Sequence, residues 1–168
     1  SAYKTTLELD KVLNRAVQLC ACQETKEMMQ ALEPAHTIED ERYDLAQTNA
    51  INALLIKNGS PRFGSVREVR RIVAHARKGG ILSMGELLEI AATLRNFSGL
   101  SQWYGLSEHE MLPTDDLLFA LAPQPVLEKQ ISESILSPEE MADTASVTLH
   151  DLRRKIRQTE DRKSTRLN

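Results

Sequence analysis

The stretch Gly59-Ser-Pro-Arg-Phe-Gly-Ser-Val-Arg-Glu-Val-Arg-Arg-Ile-Val-Ala-His-Ala-Arg-Lys-Gly-Gly-Ile-Leu-Ser-Met-Gly-Glu-Leu-Leu-Glu-Ile-Ala-Ala-Thr-Leu-Arg95 decides the fold class. Ser65 followed by Glu68, and Ser83 followed by Glu86, both have the capping-box spacing that opens a helix. The first box predicts a helix over 65–78 with Val66, Val69, Ile72, Val73 and Ala76 as its buried stripe. Arg67, Arg70, Arg71 and Lys78 then lie on the opposite side, and Gly79-Gly80 stops the helix. The second box predicts a helix carried by Leu87, Leu88, Ile90, Ala91, Leu94 and Phe97 to about Trp103.

The pattern continues outward in both directions. Upstream, Thr5 to Ala21 reads as a helix with Leu7, Val12, Leu13, Ala16, Val17, Leu19 and Cys20 on its apolar surface. Helix continues over 23–32 until Pro34 stops it. Thr37 is the expected N-cap of a helix reaching about Lys57, with Glu39, Asp40 and Glu41 where the helix dipole favours negative charge. Downstream, Pro113, Pro123 and Pro125 cut residues 105–125 into short pieces such as a helix over 114–121. Leu127 to Leu136 is expected to be helical, and Ser137-Pro-Glu-Glu140 is the turn of a small hairpin around Ile135 and Met141. Thr148, with Asp151 three residues on, launches a last helix bearing Leu149, Leu152 and Ile156. That helix runs to the end of the sequence without a stop signal, which leads us to expect a longer parent protein.

Composition agrees with helices. Of 168 residues, 41% are hydrophobic but only 4% aromatic, so the core must come from Leu, Ile, Val, Ala and Met. No apolar run approaches a membrane span of about 20 residues, which predicts no membrane partner. With only Cys20 and Cys22 as thiols, a cytoplasmic location is the simplest expectation. The net charge of −3 conceals an uneven distribution. Residues 62–78 carry six Lys/Arg against one acid, and residues 150–168 seven against three, whereas residues 79–149 carry two against eleven.

Catalytic chemistry finds no footing. On a continuous helix Cys20 and Cys22 diverge by about 200°, and no other cysteine completes a zinc site. In Gly59-Ser-Pro-Arg-Phe-Gly-Ser65 the serine follows Gly64 directly, so the lysine that neutralises phosphate in a phosphate loop is missing. His109-Glu110 opens like a zinc-protease helix, but Pro113 stands where the second histidine is needed. Asp115 and Asp116 are neighbours whose side chains diverge, as suits a surface or a cap rather than an acid/base pair.

The basic positions admit three readings: a solvated or internally paired helix face, contact with nucleic acid, or docking against another domain. Arg67, Arg70, Arg71 and Lys78 form the first candidate set, and Arg153, Arg154 and Arg157 on the terminal helix the second. Neither is interleaved with the aromatic platforms usual in single-strand binding.

Three passages carry a family resemblance: Leu7-Glu-Leu-Asp-Lys-Val-Leu13; Gly59-Ser-Pro…Gly64-Ser-Val-Arg-Glu-Val-Arg with Gly79-Gly80-Ile-Leu-Ser…Glu86-Leu-Leu-Glu-Ile-Ala; and Leu127-Glu-Lys-Gln-Ile…Ala142-Asp-Thr-Ala-Ser…Leu149-His-Asp-Leu-Arg-Arg-Lys-Ile-Arg. In this order they resemble the second type of bacterial MutS homologue, the branch that carries a small MutS-related (Smr) nuclease domain. The sequence departs at Phe63, where the family often has a small aliphatic residue, and at Met84, where proline is common; residues 98–125 match loosely. The resemblance implies a mainly α, multi-helical core domain with one small β-hairpin over 1–147, then the start of a lever helix over 148–168. It implies a parent that is an ATP- and magnesium-dependent, homodimeric DNA-binding endonuclease acting on branched DNA, suppressing homologous recombination and, in some bacteria, rescuing stalled ribosomes. The ATPase and clamp domains would be this segment's immediate partners. No catalytic, metal or cofactor residue is carried over, because the motifs for those sites do not occur in this sequence. The expected role is mechanical coupling, and the alternative is a nucleic-acid-binding module built on helices 65–78 and 149–166.

Overall fold

A computed structural model describes residues 8–62, 64–106 and 111–166, the last eight of these through the backbone alone. The fold is mainly α, with eight α-helices and one two-stranded antiparallel sheet among the described residues. Its centre is α5 (Met84–Gly105), entered through the Ser83–Glu86 capping box. Glu86 N–H donates to Ser83 Oγ (3.2 Å) and Ser83 N–H donates to Glu86 Oε2 (2.8 Å), so each side chain satisfies the other residue's orphan backbone donor.

The two ends of α5 sit in different cores. Near its start Ala91 packs with Ile131 of α7 (Pro125–Ser134) and Ile135 of β1 (Ile135–Ser137), flanked by Met84, Leu87, Leu88 and Ile90. Near its end Trp103 and Tyr104 pack on Leu54 of α3 (Ile38–Asn58), flanked by Ile51, Leu55, Leu100, Leu112 and Leu118. Thr37 Oγ1 caps α3 by accepting from Asp40 N–H at 3.1 Å, and Gly59 ends it at φ 71°. The indole N–H of Trp103 donates to Gly59 O at 2.8 Å, which fixes this turn against α5. Tyr104 lies wholly buried, its hydroxyl bonded to Thr114 Oγ1 (2.7 Å) and to Asp115 Oδ1 (2.6 Å) at the start of α6 (Asp115–Phe119). Asp115 thus ties Tyr104 to the chain entering α6, its Oδ2 also accepting from Leu112 N–H.

The expected hairpin is present. β1 pairs antiparallel with β2 (Glu140–Met141), with Ile135 opposite Met141 and Ser137 opposite Glu140. Ile135 and Leu136, expected in the preceding helix, belong to the strand instead, because burial of Ile135 and the Ala142 N–H to Ser134 O bond (2.8 Å) turn the chain there. A 3₁₀ turn (Asp143–Ala145) then leads to α8 (Val147–Arg166). Ser146, not Thr148, caps α8, its Oγ accepting from Leu149 N–H at 3.0 Å.

Two further expectations are corrected. The first helix does not run through Ala21 and on to residue 32. It divides into α1 (Leu9–Leu19) and α2 (Gln23–Gln30), with Cys20 and Cys22 both extended. α1 and α2 lie against each other, and Leu13, Ala16 and Val17 of α1 and Met29 of α2 are half-buried, whereas one straight helix would leave both strips in water. The cysteines therefore flank a bend, and a helical wheel does not describe them; Thr5 to Leu7 lie outside the described residues. The helix expected over 65–78 is also shorter. Residues 64–69 lie outside any helix, and α4 runs only over Arg70–Arg77. Asn96 of α5 is the cause: its Oδ1 accepts from Gly64 N–H (2.9 Å) and its Nδ2 donates to Ser65 O (3.4 Å). Ser65 is thereby held along α5 and forms no box with Glu68. Of the expected stripe only Ile72 is buried, Val69 is half-buried, and Val66, Val73 and Ala76 are exposed. The double glycine does stop α4: Gly79 at φ 82° and the bonds Gly80 N–H to His75 O and Gly79 N–H to Ala76 O form a Schellman motif.

Candidate interface surfaces

The α4 region does not present a single basic face. Arg67 lies on the non-helical 64–69 segment, off the helix that was expected to align it with Arg70 and Arg71. Arg70 Nε is 3.1 Å from Glu24 Oε1, an ion pair linking α4 to α2. Arg71 borders a groove that also contains Glu68, His75, Glu86 and Glu89. The backbone N–H and hydroxyl of Ser83 hold the Glu86 carboxyl below its usual range, so it remains charged. A phosphate entering this groove would meet three carboxylates alongside one arginine, an arrangement that opposes anion binding. Lys78 is exposed where α4 ends, and Arg67, Arg71 and Lys78 form no ion pair among the described residues.

The basic positions of α8 are differently placed. Arg153 Nη1 donates to Asp143 Oδ1 and to Met141 O (2.8 Å), while Arg157 Nη2 donates to Asp143 Oδ2 (2.8 Å). Arg154 lies 3.4 Å from Asp151 on its own helix. The two guanidinium groups on one carboxylate, Arg153 first, hold Asp143 below the ordinary carboxylate range. Side chains beyond 158, including Arg162, Lys163 and Arg166, lie outside the described residues, as do His109 and Glu110.

The structure brings together residues that sequence reasoning did not single out. Asp143 is the acceptor for two arginines spaced i, i+4, and that spacing on a predicted helix was the available sign that they share one partner. Arg95 joins α5 to α7 through Glu128 Oε1 (2.6 Å) and Ser132 Oγ (3.1 Å). Among the described residues no group of three or more His, Cys, Asp or Glu is placed to hold a metal ion, and no helix is long and apolar enough to cross a membrane.

Comparison with known proteins adds the decisive observation. Over 154 residues the chain is 29% identical to the endonuclease MutS2 of Clostridium beijerinckii, covering 90% of this chain and 20% of that relative. It is 30% identical over 164 residues both to the endonuclease MutS2 of Ruminiclostridium cellulolyticum and to that of Lachnospira eligens, covering 96% and 98% of this chain respectively. The chain is similar to one segment of endonuclease MutS2. It spans about a fifth of the length of the curated relatives it matches. No family model and no solved structure matches it. These homologues support reading the chain as a MutS2 segment.

Proposed function

We propose that this chain is the core segment of a MutS2-type endonuclease, together with the beginning of its lever helix, and that its work is mechanical. The observation that carries the reading is similarity to proteins named endonuclease MutS2 along at least nine-tenths of the chain. The fold suits such a role. One continuous helix, α5, joins two separate cores, and α8 leaves one of them through a hairpin and a turn. In this reading the core domain spans 1–147 and the lever begins at 148. ATP, magnesium and the nuclease chemistry belong to other domains of a homodimeric parent, whose work would be on branched DNA in suppressing recombination and on stalled ribosomes. The segment passes movement between the ATPase and the clamp.

A second reading, direct nucleic-acid contact, is favoured by the exposure of Arg67, Arg71 and Lys78 without ion-pair partners among the described residues. Binding of the 168-residue chain to branched DNA and to ribosomal RNA at low and moderate salt separates the two. The coupling role predicts weak binding that an Arg67→Ala/Arg70→Ala/Arg71→Ala variant leaves unchanged. Tight binding that weakens steeply with salt and is lost in that variant would transfer the assignment to the second reading. Robust ATPase or nuclease turnover by the chain alone would overturn both.

A further inference from the structure

α8 is attached to the rest of the molecule in an unusual way. None of its described side chains is buried: Val147, Leu152 and Ile156 are more than half exposed, and Leu149 is only half-buried. The element against which α8 lies most closely is the 3₁₀ turn that immediately precedes it, so burial of apolar surface does little to set its direction. Polar contacts take that part. Asp143 presents both carboxylate oxygens, one to Arg153 and one to Arg157, and Arg153 also reaches Met141 O.

The two sides of this contact differ in firmness. Asp143 follows Ala142, which is buried and whose N–H is bonded to Ser134 O at the end of α7. Its position is therefore fixed by the core around Ile131 and Ile135. The arginines sit on α8, whose described side chains include no buried one. Leu136, Glu140 and Met141 line the same notch, and Glu140 is the other carboxylate beside the two guanidinium groups. Arg157 is 68% exposed, so water and salt have access to the contact.

We propose that Asp143 is a latch: engaged with Arg153 and Arg157 it holds α8 in one direction relative to the hairpin and α7, and released it frees α8 to swing about residues 142–146. A fork of two arginines one turn apart on a single carboxylate resists rotation of the helix in a way that one surface ion pair does not. The latch depends only on contacts within this chain and stands whether or not the MutS2 reading holds.

Distance measurements between two spin labels test it. In a Cys20→Ser/Cys22→Ser background, labels are placed at Gln130→Cys on α7 and Gln158→Cys on α8, both exposed positions. The latched chain is expected to give one narrow distance distribution. Asp143→Ala is expected to at least double its width, and Arg157→Gln to widen it less, with helical content measured by circular dichroism essentially unchanged in both. If Asp143→Ala fails to fold, the exposed Arg157→Gln variant decides. An unchanged width in the folded variants, or a width in the parent chain already equal to theirs, overturns the proposal.

Discussion

Tyr104 shows how much can depend on one hydroxyl. The ring is wholly buried between α3 and α5, with Phe119 edge-on at 5.8 Å, and its oxygen joins Thr114 and Asp115. Tyr104→Phe keeps the ring but leaves Thr114 and Asp115 short of a partner, so it should lower stability by about 1–3 kcal/mol. Urea unfolding followed by Trp103 fluorescence checks this, and an unchanged midpoint would show the network to be dispensable. Burial, followed by the bond to Asp115, raises the Tyr104 phenol above its ordinary value near 10. The sign follows from this: the stabilisation is complete below the unfolded-state value and declines as pH climbs through the raised folded-state value. Titration by phenolate absorbance should therefore find one tyrosine ionising above the ordinary phenol range.

At the scale of elements, two identical sequence spacings have different fates. Ser83 caps α5 and Ser65 caps nothing, so Ser83→Ala should cost about 0.5–2 kcal/mol while Ser65→Ala stays within about 0.5 kcal/mol. Thermal unfolding of the two variants side by side gives the comparison, and equal losses would contradict the non-helical path of 64–69. The contrast also explains what is legible in this sequence. Thr37, Ser83 and the Gly79-Gly80 stop act over three to five residues, so their elements can be read directly. The hairpin is readable for the same reason, since Ser137-Pro-Glu-Glu140 is a local turn. The fate of Ser65 depends on Asn96, thirty-one residues away, and the bend at Cys20–Cys22 on one helix covering another. Those contacts have no local signature. Among the basic positions, types and spacing are visible, but whether an arginine faces water or Asp143 is decided by the hairpin's placement.

For the molecule as a whole, the division of the core matters most. The cluster around Leu54, Trp103 and Tyr104 and the cluster around Ala91, Ile131 and Ile135 share α5 but no buried side chain. With so little burial joining the halves, unfolding should not be a single transition. Trp103, the only tryptophan, reports the first cluster, whereas circular dichroism reports every helix. The two probes should give separate urea midpoints, and coincident curves would show one cooperative unit instead. α5 imposes a further restriction on whatever movement the halves make. From Ala91 to Tyr104 it is an unbroken rod of about 20 Å, at the usual rise per residue. The gap between the clusters is consequently a fixed gauge: they can twist about a common axis, but they cannot draw apart without tearing backbone hydrogen bonds.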